Sequence, residues 1–324
     1  MTAFLLRRAM ALLATLLAAS VVIFLVLEVL PGNVAEVMMG PDADPEAVQA
    51  LATQLGLDRP AWQRYAAWLL GLFTGEMGDS HVYGSPVADL VLERLTLTVP
   101  LALLAMGLTA LLALGVGVYA ALHHRRWADT GLMALAQLGV AMPSFWLAML
   151  LILVFSVWLG WVPAGGFDGW ASDLDEPWWQ GVLNGLRALL LPALALAGVQ
   201  AAILARFVRS SVLEVQGEAF VRTARAKGLP SSQILWRHVF RNALIPVLTV
   251  AGMQFAELMA GAVVIENVFS LPGLGRLLFQ SIANRDLIVV RNCVLLLVAM
   301  VVMLNFLVDV VYAMIDPRLK VRAR

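Results

Sequence analysis

Long apolar runs dominate the sequence, and short polar segments separate them. Six of these runs approach or exceed the about 20 apolar residues that a helix needs to cross a bilayer. We therefore predict an all-α polytopic membrane protein with six transmembrane helices, forming one domain over residues 1–324. The predicted spans cover residues 9–30, 99–122, 131–159, 186–205, 245–265 and 289–313.

The first apolar run follows Arg7 and Arg8, which makes a cleaved signal peptide the obvious alternative. Signal peptides have an apolar core of about 7–15 residues, and this run continues well beyond that length. We predict that it is retained as the first span.

Two polar segments interrupt the spans on one side of the predicted membrane. Residues 31–97 are rich in turns, and Asp44-Pro45-Glu46 resembles the start of a helix, so we expect short helices on the membrane surface there. Residues 160–185 are acidic and rich in tryptophan, which is typical of a membrane interface. Pro143 lies within the third span, where neighbouring helices can satisfy the freed backbone.

Composition supports the membrane interpretation. The chain is 61% hydrophobic and 14% charged, and its mean hydropathy is +0.85. Soluble domains have about 25% charged residues, so this chain cannot cover itself with a polar surface.

A net charge of zero gives no indication of a nucleic-acid partner. A single cysteine excludes an intramolecular disulfide, and the four histidines lack metal-ligand spacing, so no metal site is predicted.

The distribution of positive charge predicts the orientation. Of 22 Lys and Arg residues, 15 lie at the termini and in the 123–130 and 206–243 loops, and 7 lie on the opposite side. Loops rich in Lys and Arg remain in the cytoplasm. We therefore expect a multi-pass protein of the bacterial inner membrane, in contact with lipid, with both termini cytoplasmic.

The 206–243 loop has an unusual internal pattern. Residues 218–227 favour a helix, Gly228 can end it in the left-handed conformation, and Pro230 prevents simple continuation. Ser231 is then expected to cap a second helix that leads into the fifth span. The result is two short helices joined by a sharp turn.

The first of these helices has two different faces. Helical spacing groups Val221, Ala224 and Leu229, and directs Arg222 and Arg225 elsewhere. Small side chains at Ala224 and Ala226 allow a partner surface to approach closely. An amphipathic helix resting on anionic lipid is the alternative, and it is compatible with docking.

The sequence contains no catalytic constellation, and we predict no catalytic or cofactor-binding residues. It has no Gly-x-x-x-x-Gly-Lys-Ser/Thr phosphate loop and only two lysines. If the protein uses ATP to move a solute, the ATPase must be another chain.

Polar residues within the predicted spans are candidates for a translocation path: Glu257 and Gln254 in the fifth span and Asp309 in the sixth. A charge at the bilayer centre costs about 2.5–3.5 kcal/mol, so neither carboxylate should face lipid. For Glu257, contact with solute and a purely interhelical hydrogen bond are equally compatible with the sequence. For Asp309, near the cytoplasmic end, the interhelical role is favoured.

Several motifs occur in a specific order along nearly the whole chain. They are Leu30-Pro-Gly32, Pro143-Ser-Phe-Trp146, Leu159-Gly-Trp-Val-Pro163, residues 222–229 and 238–246 of the basic loop, Ile265 to Gly275, Asn284-Arg-Asp286, Asn305 to Tyr312 and Asp316-Pro-Arg318. Together they resemble the permease subunits of ABC importers of the dipeptide, oligopeptide and nickel family.

The resemblance implies the core fold of type I ABC importer permeases. It implies pairing with a second, homologous permease subunit, with two cytoplasmic ATPase subunits that bind ATP and magnesium, and with a periplasmic or lipid-anchored solute-binding protein. The solute would be a di- or oligopeptide or a related small solute such as a nickel chelate or glutathione. The implied coupling helix, which docks on an ATPase, comprises Val221, Arg222, Thr223, Ala224, Arg225, Ala226, Lys227, Gly228 and Leu229.

The coupling loop departs from the broader importer pattern of Glu-Ala-Ala, three residues, Gly, nine residues and Ile-x-Leu-Pro, because only Ala224 and Gly228 fit it when the positions are counted from Gly228. Arg222 occupies the position of the glutamate in the general Glu-Ala-Ala loop motif, as in the peptide branch. Glu257 occupies a position where the resemblance predicts a small or hydroxyl-bearing residue, which would suit a cationic solute.

Two other classes of function remain open at the level of sequence. One is a secondary transporter or channel driven by an ion gradient, with Glu257 and Asp309 as proton sites. The other is a membrane scaffold that transports nothing.

Overall fold

The structure is a computed structural model, and it describes residues 2–29, 35, 39–40, 43–54, 56–171 and 177–315. Three sequence features lie outside the described residues: the Leu30-Pro-Gly32 motif, the acidic residues Asp173, Asp175 and Glu176, and the Asp316-Pro-Arg318 motif with the basic tail.

The described residues form helices joined by turns, which confirms the prediction of an all-α protein. The bounds are α1 Thr2–Val29, α2 Pro45–Gln54, α3 Ala61–Thr74, α4 Val87–Leu122, α5 Trp127–Ala141, α6 Ser144–Trp158, α7 Trp178–Gln216, α8 Ala219–Ala226, α9 Ser231–Val268, α10 Leu274–Ala283 and α11 Leu287–Ile315. The segments Ile152–Trp158 and Ile234–Phe240 are π-helical.

Five helices in the described part of the chain are long and apolar enough to cross a membrane: α1, α4, α7, α9 and α11. The predicted third span corresponds to the pair α5 and α6, which is bent by 104°. The sequence predicts a single span over residues 131–159, and the chain instead breaks within it at Met142 and Pro143. Both residues are extended, because proline lacks an N–H and disfavours helical geometry in the residue before it.

The chain divides into two compact units. The described residues of the first unit belong to 1–9, 99–271 and 303–324. One of its cores is formed by the second half of α4, the second half of α7, one face of α8 and the start of α9. Val208, Val212, Val221 and Val239 are almost completely buried in this core.

The second unit comprises residues 10–98 and 272–302. Its core joins the first turns of α4 to α10 and to the first half of α11. The predicted helix start at Asp44 to Glu46 is confirmed, since α2 begins at Pro45 and the Glu46 backbone N–H donates to the Asp44 carboxylate at 3.2 Å. Trp68 on α3 donates from Nε1 to Asn292 Oδ1 at 2.9 Å, which fixes α3 on α11.

Candidate functional site: the coupling loop and a polar cluster in the first unit

Helix α8 is the predicted coupling helix, and its apolar face is buried in the first unit. Val221 is 0% exposed and Ala224 is 6% exposed, while Leu229 packs at the edge of the same core. This confirms the predicted grouping of the three side chains. The burial joins α8 to α4, α7 and α9, so the helix is a fixed part of the bundle.

The opposite face of α8 is exposed. It carries positive charge and small side chains, and the exposed residues are Arg222, Thr223, Arg225, Ala226, Lys227 and Gly228. Of the nine residues predicted for docking, these six can meet a partner. The other three, Val221, Ala224 and the half-buried Leu229, pack against the core and hold the helix in place.

The turn after α8 has the predicted backbone geometry. Gly228 has a φ of +77°, in the left-handed region, and its N–H donates to the Arg225 carbonyl at 3.0 Å. The prediction that Ser231 caps the next helix is wrong. Pro230 occupies the N-cap position in an extended conformation, and Ser231 is the first helical residue, with no side-chain cap bond.

An ion pair that the sequence analysis did not identify lies close to this loop. Arg209 of α7 binds Asp129 of α5 through two hydrogen bonds, Nε to Oδ1 at 2.5 Å and Nη2 to Oδ2 at 2.8 Å. Asp129 is 3% exposed. It also accepts the Arg125 backbone N–H at 3.2 Å, and His124 Nδ1 lies 3.1 Å from its Oδ2. The pair fixes the start of α5 and the turn before it to the C-terminal half of α7.

A polar cluster joins the apolar parts of α7 and α9. Gln254 Nε2 donates to the Gln200 carbonyl at 3.2 Å, and Gln200 Nε2 donates to Glu257 Oε2 at 3.4 Å. The side-chain oxygens of Gln200 and Gln254 are buried and have no hydrogen-bond partner among the described residues. The structure thus brings together two of the three predicted path residues, Gln254 and Glu257.

The third predicted path residue, Asp309, has a different partner. Its Oδ2 lies 3.2 Å from Nη1 of Arg8, near the start of α1. The side chains are 48% exposed for Arg8 and 33% exposed for Asp309. The ion pair joins the first helix to the last within the first unit, in line with the structural role that the sequence favoured.

Sequence reasoning missed Gln200 and the Asp129–Arg209 pair. Gln200 is an isolated polar residue in the apolar stretch of α7, and this isolation could have identified it as a candidate for a polar contact within the membrane. Asp129 is the only acidic residue of the 123–130 loop, but no spacing rule connects it with Arg209, which lies 80 positions later.

The described residues form a polytopic helical protein, and the sequence has no phosphate-binding loop of the Gly-x-x-x-x-Gly-Lys-Ser/Thr type. Residues 1–102 match the family model described as the N-terminal part of binding-protein-dependent transport system membrane components, and residues 113–321 match that of the inner membrane component itself. The chain belongs to this family, and the resemblance to ABC importer permeases of the peptide and nickel branch is confirmed.

Individual relatives extend over nearly the whole chain. A protein of Brucella abortus named as a peptide transport system permease is 44% identical over 99% of both chains. The glutathione transport system permease protein of Escherichia coli K12 is 38% identical over 98% of both chains.

Among solved structures, the MetNI methionine ABC transporter contains a similar chain. The TM-score is 0.55 at 18% identity, and the match covers 70% of this chain and 96% of the other. At this identity the likeness shows the fold alone, and it confirms the predicted ABC importer permease core. Membership of the family implies that the protein works with ATPase and solute-binding components.

Proposed function

We propose that this chain is the membrane-spanning subunit of an ATP-driven importer of di- or oligopeptides or of a related small solute such as glutathione or a nickel chelate. The names of two relatives that match over nearly the whole chain support a peptide or glutathione as the solute. The observation that carries the coupling role is α8, a short helix with a buried apolar face and an exposed basic face.

The complex that we propose contains a second, homologous permease subunit, two cytoplasmic ATPase subunits and an extracytoplasmic solute-binding protein. ATP and magnesium would be bound by the ATPase subunits. Both termini and α8 would lie in the cytoplasm, where the excess of Lys and Arg places them.

In this mechanism the exposed face of α8 docks in a groove on one ATPase subunit. Closure of the ATPase subunits displaces α8, and the buried Val221 and Ala224 transmit the displacement to α4, α7 and α9. The Asp129–Arg209 pair extends the same rigid connection to α5. The spans then exchange outward-facing and inward-facing arrangements, and this chain catalyses no reaction.

Glu257 would line the path of the solute, since it is the exposed member of the polar cluster, and the buried Gln254 would support the cluster from behind. We assign Asp309 a structural role, because its charge is paired with Arg8. The path would therefore not include Asp309.

Substitution of Ala226 by Glu tests the docking role. Ala226 is exposed, so the variant should fold and insert normally, but an unpaired carboxylate in the docked interface costs about 2–5 kcal/mol. We expect the ATPase subunits to copurify at least tenfold less well and ATP-driven uptake to fall to background. Ala226→Ser, which changes size little and adds no charge, should keep both properties. Normal uptake by Ala226→Glu would contradict the docking role.

A further inference from the structure

The carboxylate of Glu257 lies deep in an apolar helix. It is 16 positions after Arg241, the first residue of the α-helical part of α9, and no other charged residue lies between Arg241 and Glu266. At about 1.5 Å per residue, the stretch from Arg241 to Glu266 is about 37 Å long, and Glu257 lies about 5 Å beyond its midpoint. This places it well inside a hydrocarbon layer about 30 Å thick that is centred on the stretch.

This carboxylate is on the surface of the chain rather than in its core. Glu257 is exposed, and so are Met253 one turn before it and Val264 two turns after it. The three side chains share one stripe of α9, because residues separated by three or four positions lie on the same helix face. An acidic residue in such a stripe faces a polar path or a partner subunit, since lipid would oppose the charge.

The electrostatic environment of Glu257 differs from that of three other acids on the long helices and α5. Asp129, Asp309 and Glu28 each pair with an arginine. Within the described part of the chain, no basic side chain lies within ion-pair distance of Glu257, and its hydrogen bond is the 3.4 Å contact from the Gln200 amide. A single long amide bond leaves most of the acceptor capacity of a carboxylate unused.

The neighbouring amides are buried behind the carboxylate and do not meet a solute directly. Gln200 and Gln254 direct their amide nitrogens to Glu257 and to a backbone carbonyl, and their buried oxygens lack a partner among the described residues. The exposed Glu257 carboxylate is therefore the acceptor that a solute can reach in this cluster. An ammonium group has three N–H donors and a positive charge, and it matches the carboxylate.

We infer that Glu257, positioned by Gln200, is a binding site for the α-ammonium group of the transported solute. This rests on the proposed function, because every di- or oligopeptide with a free N-terminus carries that group, as does glutathione. Glu257 supplies the countercharge within the membrane, and Gln200 holds the carboxylate on the exposed side of α9. The site would favour solutes with a free amine over those in which the amine is acylated.

The test compares uptake of trialanine and N-acetyl-trialanine by the complete complex in proteoliposomes. The uptake rate of each peptide is divided by the amount of that peptide bound to the solute-binding protein. This correction removes the selectivity of the binding protein from the comparison. Glu257→Gln keeps the shape and loses the charge, and we expect trialanine uptake to fall roughly tenfold or more while N-acetyl-trialanine uptake is unchanged. Glu257→Asp, which keeps the charge, should restore part of the preference for the free amine.

Asp309→Asn is the matched control, since it removes the other carboxylate that the sequence placed in a span, and it should leave the ratio of the two uptake rates unchanged. An equal loss for both peptides with Glu257→Gln would overturn the assignment and indicate a structural contact with the second permease. An unchanged trialanine rate would overturn it as well. Absence of ATP-driven uptake of trialanine, glutathione and nickel chelates alike by the wild-type complex would instead contradict the proposed function, and with it this assignment. Uptake of a nickel chelate alone would overturn only the assignment.

Discussion

At the scale of single residues, Gly228 illustrates a requirement set by backbone conformation alone. Its φ is +77°, yet a Cβ added at this position would have no heavy atom within 4 Å on this chain. Crowding within the chain therefore does not select glycine. The left-handed backbone does, because it costs other L-residues about 1–2 kcal/mol.

A series of substitutions at Gly228 separates the effect of backbone conformation from the effect of side-chain bulk. We expect Gly228→Asn to lose least activity, because asparagine tolerates the left-handed region, and Gly228→Ala to lose more. Gly228→Val should abolish uptake, since a β-branched residue adds bulk to the docking face as well as strain. ATP-driven uptake and copurification of the ATPase subunits measure the series. Equal activity of the alanine and asparagine variants would contradict the conformational explanation.

The Asp129–Arg209 pair should contribute strongly to the stability of the first unit. Asp129→Asn removes the charge that neutralises Arg209, and breaking such a pair costs about 3 kcal/mol when it is buried, somewhat less here because the Arg209 side chain is 24% exposed. We expect a clear fall in the thermal midpoint of the purified complex. Arg206→Ala is the control, since its guanidinium makes an exposed hydrogen bond to Gln137 and should cost less than about 1 kcal/mol. Similar midpoints for the two variants would refute this role.

The sequence predicts the role of some of these residues and not of others. Gly228 could be predicted because its conformation depends on its immediate neighbours. Gln200 and Asp129 could not be given partners, because their contacts join positions 57 and 80 apart. No local pattern encodes such distances.

At the scale of elements, α8 was predictable and the break in the third span was not. The spacing of apolar and basic residues in α8 predicts one buried apolar face and one exposed basic face. The structure has both faces as predicted. A proline in an apolar run is compatible with a kink or with a complete break, so Pro143 alone could not predict a bend of 104°. Packing of the neighbouring helices decides between them.

Two glycines of α4 provide a matched test of helix packing in the first unit. A Cβ on Gly117 would lie 2.6 Å from the Val208 Cβ and 2.7 Å from the Ala205 carbonyl oxygen, whereas one on Gly115 would have nothing within 4 Å. We expect Gly117→Ala to destabilise the unit by about 1–3 kcal/mol through overpacking against α7. Gly115→Ala should be neutral or stabilising by up to about 1 kcal/mol. Thermal unfolding of both variants checks the contrast, and a stable Gly117→Ala would contradict the close contact.

At the scale of the whole molecule, hydropathy and charge carry most of the information. They predict a helical membrane protein, and they predict that one side of it is basic. The family match and the apolar helices of the structure agree with the prediction of a helical membrane protein. The motifs indicate the peptide branch of importers because they occur together, in one order and at characteristic positions along the chain. The identity of the solute depends on a few side chains in the path and on a separate binding protein, so composition cannot reveal it.

The central claim is that a separate ATPase drives this chain through α8. The most direct test is peptide uptake into proteoliposomes, measured for the complete complex with ATP and for this chain alone with a pH gradient. We predict uptake that depends on ATP in the complex and no uptake by the isolated chain. Solute flux through the isolated chain that follows the pH gradient, with no effect of ATP on the complex, would contradict the account and favour a secondary transporter.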